Sequence, residues 1–352
     1  MRILELTSVS GFVAFDLDCP TSGGGTRWAP GVTRAEAALL ARAMTYKFAV
    51  LERPLGGAKG VLRSDDGTPR GTALERYCQE ITPMVERQVF LTSSDLGTAT
   101  EDFASLPGYD PDSVMHQWVG PTMVDSLITG VGVVAAADTA LGGLAGRRFA
   151  IEGFGKVGGA AAGELERRGG TLVALSTVYG CVADPSGLDI RRLLELRQAH
   201  GDRCVEHVGL PMLPVTALFE VDTDVLVPGA RIGVIDRSRA AAVRTRVIAP
   251  AANVPYTAAG LAVLRERGIL ALADFVCGAG ATIGYMAERF LGLAGVEAAS
   301  ELVDREVSAL TARSLDHPDG PFAGATALAE KFLRTWRSPD EMPAGPPLAP
   351  EG

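Results

Sequence analysis

Hydrophobic and polar positions alternate at the start of the chain. Val13, Phe15 and Leu17 interleave with Ala14, Asp16 and Asp18, so residues 3–18 read as two strands, the second half buried. A glycine run follows at Gly23–Gly25, and then Thr33-Arg-Ala-Glu36 forms a capping box that opens a helix to about Phe48. A second box, Thr72-Ala-Leu-Glu75, opens another helix whose apolar residues Leu74, Tyr77, Cys78 and Ile81 fall at i, i+3, i+4 and i+7. The pattern changes near Pro121. A small-residue helix over about 122–140 leads to an apolar strand, Arg148–Glu152, after which strand and helix signals alternate. Strand runs are Thr171–Ser176, Asp224–Val227, Val247–Ala249 and Ile269–Leu272; helical runs are about 156–168, 188–199, 236–244 and 257–267. Such alternation predicts a mostly parallel sheet with crossover helices. Further helices fall at about 284–292, 297–312 and 324–337. Five prolines among the last fifteen residues predict a disordered tail over 338–352.

The fold class that follows is α/β in two domains. Residues 1–125 form an α/β substrate and catalytic domain, and 126–314 a Rossmann-type dinucleotide-binding domain.

Composition narrows the function. The chain has 352 residues and a formal net charge of −9, which argues against nucleic acid as a partner because phosphate binding needs a basic face. The apolar stretch 127–146 is interrupted by Asp138 and several Gly and Thr residues, so it reads as a buried helix rather than a membrane span. Glu5 falls where a signal peptide would be apolar. Five cysteines form no CxxC pair, and with four scattered histidines no metal site is expected. A soluble, cytoplasmic protein is expected. Of 33 basic residues only four are lysine: Lys47, Lys59, Lys156 and Lys331. Codon bias accounts for their scarcity. Their places are worth testing because lysine, unlike arginine, can lose its proton inside a protein.

Gly153-Phe-Gly155-Lys156-Val157-Gly158 fits G-x-G-x-x-G. It follows an apolar strand and opens a helix, the context in which the pattern means dinucleotide binding. Glycines allow close approach of a pyrophosphate, and the helix start supplies amide donors. Lys156 either approaches a phosphate or is simply solvated. The acid expected on the second strand to grip a ribose is missing: the chain reads Leu175-Ser176-Thr177-Val178-Tyr179, with no arginine just after. Ser176 and Thr177 could bond either cofactor, so NAD or NADP remain open.

Lys59 lies in Pro54-Leu-Gly-Gly-Ala-Lys59-Gly60, read as a loop of small residues, and Lys47 lies near the end of the capped helix. Desolvation and a nearby like charge, such as Lys47, could bring Lys59 toward neutrality. Asp95 sits in a polar loop just after an apolar strand. A base and an acid of different pKa suit proton transfer around a hydride step. The other reading is a surface lysine and a turn aspartate.

Four segments resemble the glutamate/leucine/phenylalanine/valine dehydrogenase family. They are Gly23-Gly-Gly-Thr26-Arg27; Ala41-Arg-Ala-Met-Thr-Tyr-Lys47 leading into Leu55–Gly60; Thr92-Ser-Ser-Asp95-Leu-Gly-Thr98; and Gly153–Gly158 together with Val225–Pro228 and Ala249–Asn253. They occur in the family's order over about 20–285. The resemblance implies a two-domain enzyme that interconverts an L-amino acid and its 2-oxo acid plus ammonia with NAD or NADP, as a homo-oligomer. It implies that Lys47 binds the substrate α-carboxylate, that Lys59 activates water and that Asp95 relays protons. It places Thr129 and Asn253 near the cofactor and Gly23, Gly24, Ser93, Thr282 and Tyr285 around the substrate. It also implies that C-terminal helices, about 315–337, join the first domain. In glutamate-specific relatives a further lysine is expected nine residues before Lys47, where this chain has Ala38. A buried carboxylate without that cation would cost several kcal/mol. A nonpolar or aromatic substrate is therefore expected, with Gly23 and Ser93 small enough to leave room for it. Glutamate dehydrogenase is the alternative, and a non-catalytic dinucleotide-binding subunit the next.

Overall fold

The computed structural model describes every residue except Asp66, Ala294 and Gly352. The chain divides into two compact units. One comprises Met1–Ser113 with Ala327–Pro347, and the other Val114–Thr326 with the residues from Leu348 onward. These breaks differ from the expected 125/126 and 314/315.

The first unit contains β1 (Arg2–Glu5), β2 (Gly11–Phe15), β3 (Ser22–Trp28), α1 (Arg34–Val50), β4 (Gly56–Leu62), α2 (Arg70–Glu86) and β5 (Phe90–Ser94). Its sheet runs β1-β2-β4-β3-β5, with β3, β4 and β5 parallel and β1 and β2 antiparallel to their neighbours. Both faces are covered. Val13, Phe15, Ala58 and Leu62 pack with Leu74, Tyr77 and Ile81 of α2, whereas Phe12, Ala14 and Val61 pack with Ala37 and Ala41 of α1. Strand β2 is consequently buried on both faces, not half buried as its alternation predicted.

Thr33 caps α1, its Oγ accepting from the Glu36 N–H at 3.1 Å. The second expected cap is not used: α2 starts at Arg70 with Pro69 at its N-cap, which leaves Thr72 inside the helix. The predicted face of α2 (Leu74, Tyr77, Cys78, Ile81) is buried. The glycine run Gly23–Gly25 lies in strand β3, and the small-residue stretch read as a loop around Lys59 is strand β4. Glycine removes the hydrophobic period by which strands are recognised, and here it allows close packing. A Cβ on Gly57 would lie 1.8 Å from the Ala41 carbonyl oxygen of α1, and one on Gly24 would lie 1.8 Å from the Ala58 oxygen.

The second unit has a two-stranded ribbon, β6 (Trp118–Val119) and β7 (Thr122–Met123), then α3 (Val124–Leu141). Next come β8 (Arg148–Glu152), α4 (Lys156–Arg167), β9 (Thr171–Thr177), β10 (Gly180–Ala183), α5 (Ile190–His200), β11 (Val225–Pro228), α6 (Arg237–Ala242), β12 (Val247–Ile248), α7 (Ala258–Glu266) and β13 (Leu270–Ala271). Helices α8 (Asp274–Cys277), α9 (Gly280–Leu291) and α10 (Val296–Leu315) follow, and α11 (Pro321–Leu333) begins in this unit and ends in the first. The sheet order is β10-β9-β8-β11-β12-β13, parallel except for β10 at the edge. Strand order reverses between β8 and β11, the switch point at which such sheets bind ligands.

Among the described residues, α3 alone is long and apolar enough to cross a membrane. It is instead packed by α4, α9 and α10, and its residues 128–137 are all buried. The proline-rich end also departs from expectation. A short 3-10 turn forms at Pro339–Glu341, and Ala349 bridges to Thr257, donating its N–H to the Tyr256 carbonyl at 2.8 Å. Gly352, the last residue of the predicted tail, lies outside the described residues.

Candidate active site

In the first unit the parallel strands β3, β4 and β5 bring three charged residues together: Arg27 near the end of β3, Lys59 in the middle of β4 and Asp95 just past β5. Lys59 is on central strand β4, not in a loop, and is 5% exposed. Alternation puts Gly57, Lys59 and Val61 on one face, and Gly57 and Val61 face α1. Lys59 Nζ donates to Asp95 Oδ2 at 2.6 Å, and Arg27 Nε on β3 donates to the same oxygen at 2.9 Å. Arg27 Nη1 also bonds Glu36 Oε1 of α1 at 2.7 Å. The turn that carries Asp95 is fixed by Thr98, whose Oγ accepts from the Asp95 N–H and donates to the Thr26 carbonyl, both at 2.8 Å.

The electrostatics favour a lysine that can give up its proton. Burial pulls the Lys59 amine below its usual range and Arg27 pushes in the same direction, while Asp95 opposes both. Burial alone would raise the Asp95 carboxyl, but Lys59 and Arg27 more than offset it and hold the acid well below the usual carboxylate range. Two cations share one carboxylate, and an arginine does not deprotonate, so Lys59 is the member that can. Arg27 and Glu36 were not singled out from the sequence. Arg27 stands next to last in the glycine-rich strand β3, but its Asp95 contact needs the fold.

Lys47 lies in the last turn of α1 and is buried. Phe90 packs among the α2-side residues and Thr92 Oγ1 bonds Thr26, itself bonded to Tyr77 of α2. Ser93 and Asp95 therefore point to the α1 side, as Lys59 does. Two expectations change. Gly23 does not leave open room: a Cβ there would lie 2.8 Å from the tip of the Phe48 ring, so that ring fills the space. Ala38 and Lys47, nine residues apart on one helix, are about two and a half turns apart, on opposite sides. A cation at 38 could not join Lys47 on one small ligand, so Ala38 says nothing about substrate charge. Gly24 serves the close strand contact already described.

In the second unit Gly153 has φ +84°, a left-handed conformation that suits glycine, and a Cβ on Gly158 would lie 2.1 Å from the Gly153 oxygen. Gly155 caps α4, with Gly155 and Lys156 exposed and Val157 half buried. At the switch point, Glu152 ends β8 almost fully buried and accepts from Arg231 Nε at 3.0 Å. Neither of these two was foreseen. Ser176 is fully buried, and the Thr177 hydroxyl donates to the Asp202 carbonyl at 2.7 Å and accepts from the Tyr179 N–H. The ribose contacts expected of these two side chains are not offered. Thr129 Oγ donates to the Asp125 carbonyl at 2.7 Å and accepts from the Ala281 N–H at 3.1 Å, next to Thr282 on α9. Tyr285 on the same helix meets the His116 ring edge-on at 5.9 Å. Asn253 is half buried in the loop after β12, beside Val254, whose φ of +54° is unusual for a β-branched residue.

Residues 122–316 match the family described as glutamate/leucine/phenylalanine/valine dehydrogenase, and residues 12–108 match its dimerisation domain. The NADP-specific glutamate dehydrogenase of Saccharolobus shibatae is 30% identical over 318 residues, 82% of this chain and 74% of that protein. The hetero-hexameric glutamate dehydrogenase of Thermus thermophilus, in a Leu-bound form, superposes with a TM-score of 0.76 at 25% identity, covering 93% of this chain and 85% of that one. L-tryptophan dehydrogenase of Nostoc punctiforme shares the fold at a TM-score of 0.63 and 22% identity, over 95% of each chain. The chain belongs to the glutamate/leucine/phenylalanine/valine dehydrogenase family. It is an amino-acid dehydrogenase, an oxidoreductase of two α/β units.

Proposed function

We propose that the enzyme interconverts a nonpolar L-amino acid and its 2-oxo acid plus ammonia, using NAD or NADP. The observation that carries the acid–base part is the buried Lys59 amine bonded to Asp95 and biased toward its neutral form. The glycine loop Gly153–Gly158, at the switch point of the second unit's sheet, fits a dinucleotide pyrophosphate: it combines a left-handed glycine, a close strand–helix contact and the start of α4. Lys156 is the cation at that helix start. When bound, the dinucleotide supplies the acceptor for a hydride from the substrate Cα.

The chain's own residues would do the rest. Lys47 holds the α-carboxylate. Loss of a hydride from Cα needs a neutral substrate nitrogen, whose proton passes toward Asp95. Neutral Lys59 then takes a proton from the water that adds to the imine carbon. Asp95, bonded to Lys59, returns its proton to nitrogen; Lys59, having passed its first proton to solvent, takes the hydroxyl proton as the C–N bond breaks, releasing ammonia and the oxo acid.

The nonpolar preference rests on Gly23. The Phe48 ring fills the space beside it and presents an apolar wall that offers a second carboxylate no partner. Ser93 lies on the same side of the sheet. Glutamate is the second reading, favoured by the name of the Saccharolobus relative. The match to a dimerisation domain and the hetero-hexameric Thermus neighbour support an oligomeric enzyme.

The test is oxidation of NADH and NADPH across a panel of 2-oxo acids. Turnover must require both ammonia and an oxo acid. No turnover with any pair would sink the proposal.

A further inference from the structure

The adenosine end of the dinucleotide needs recognition too, and the usual acid at the tip of the second strand is absent. That tip is well defined. Gly153 N–H, at the start of the glycine loop, donates to the Ser176 carbonyl at 2.8 Å, so β9 ends directly beside the loop. Beyond it the chain turns through Val178 and Tyr179, both exposed, into β10.

A 3-10 segment from much later in the sequence, Gly201–His207, is tied to this tip. Thr177 Oγ donates to the Asp202 carbonyl at 2.7 Å, and Arg197 pairs with the Asp202 carboxylate. The segment sets Arg203 over the Tyr179 ring, with the guanidinium carbon 4.2 Å from the ring centre. Arg203 Nη1 lies 2.8 and 3.1 Å from the two oxygens of Glu206, and its side chain is 57% exposed. No arginine follows β9 directly in the sequence. The fold supplies one from 24 residues beyond Tyr179.

We propose that Arg203, held on Tyr179, forms the subsite for the adenosine 2′-phosphate, and that this makes the enzyme prefer NADP over NAD. The proposal rests on the dinucleotide reading above. The end of the second strand is where a Rossmann sheet distinguishes the two cofactors: an acid there receives a ribose hydroxyl, whereas an arginine accommodates the phosphate. A guanidinium has five N–H donors in a planar fork, enough to meet a phosphate while Glu206 keeps one nitrogen. The aromatic ring beneath it limits the side chain's freedom, so less order is lost on binding. The two acids of the segment are both engaged, Asp202 by Arg197 and Glu206 by Arg203.

The test is calorimetric titration of the full-length protein with 2′,5′-ADP and with 5′-AMP. Wild type should bind 2′,5′-ADP about tenfold or more tightly than 5′-AMP, the size of one charge-assisted contact. Arg203→Gln should remove that margin while leaving 5′-AMP affinity unchanged, and Glu206→Gln should keep the margin. Arg203 is at the surface, and an unchanged thermal midpoint checks that the variant is folded. Equal affinity for the two nucleotides in wild type would overturn the proposal, as would a margin that survives Arg203→Gln. So would a loss of 5′-AMP binding in Glu206→Gln, which would mean that the acid grips the ribose instead. Those results leave dinucleotide binding itself standing. Failure of both NADH and NADPH to bind would overturn that reading as well.

Discussion

Lys59 and Arg27 reach the same oxygen of Asp95, at 2.6 and 2.9 Å, from adjacent parallel strands. The shared partner couples the proton on Lys59 to a cation that never titrates. Removing either neighbour of Lys59 should therefore move its titration, and in opposite directions.

The pH profile of amino-acid oxidation checks this. The amine must be neutral to act, so kcat/KM rises as pH rises through the depressed Lys59 pKa. In Arg27→Gln the like charge is gone and Asp95 is left to Lys59, so the rising limb should move to higher pH. In Asp95→Asn the anion that raises Lys59 is gone, so the limb should move to lower pH, with kcat down roughly 100-fold from the lost relay. Limbs that stay put in both variants would uncouple the three residues.

Lys59→Ala should lower kcat by roughly 10²- to 10⁴-fold while leaving NADPH binding, followed by fluorescence titration, unchanged. Lys59→Arg should fare no better, because a guanidinium cannot take the proton from water. Recovery of activity with arginine would mean that Lys59 acts only through its charge.

Neighbouring glycines of β3 should respond differently to one methyl group. Gly24→Ala drives a Cβ into the backbone oxygen of Ala58, which cannot yield without parting two strands. A cost of about 3 kcal/mol and a fall in Tm of roughly 4 °C are expected by differential scanning calorimetry. Gly23→Ala meets only the tip of the Phe48 ring, which can swing. It should fold near the wild-type Tm but lose activity on the bulkier oxo acids first.

Gly158→Ala places a Cβ 2.1 Å from the Gly153 oxygen, at the joint of β8 and α4. Calorimetric titration should show dinucleotide affinity about tenfold weaker or worse. Wild-type affinity in this variant would remove the loop from the cofactor site.

How much was legible depended on whether a residue's meaning lay near it in sequence. Strand β8 and its glycine loop were readable because an apolar run, three glycines and a helix start are contiguous. Helix α1 was readable from its cap. Strands β3 and β4 were not, because glycines carry no period, although their tight packing is what sets Lys59 against Asp95. The Arg27–Asp95 contact spans 68 residues and the Arg203–Tyr179 contact 24, so neither pairing is visible in a linear string. Phe48 over Gly23 is the sharpest case: a small residue predicted room, and a neighbour from the adjoining helix filled it.

The central claim is a nonpolar-substrate amino-acid dehydrogenase. It is tested most directly by comparing kcat/KM for 4-methyl-2-oxopentanoate and 2-oxoglutarate, each with ammonia and NADPH. The proposed nonpolar substrate predicts a preference for the apolar acid of about 100-fold or more, the effect of leaving a carboxylate unpaired against the Phe48 ring. A preference for 2-oxoglutarate would contradict the account and make the enzyme a glutamate dehydrogenase.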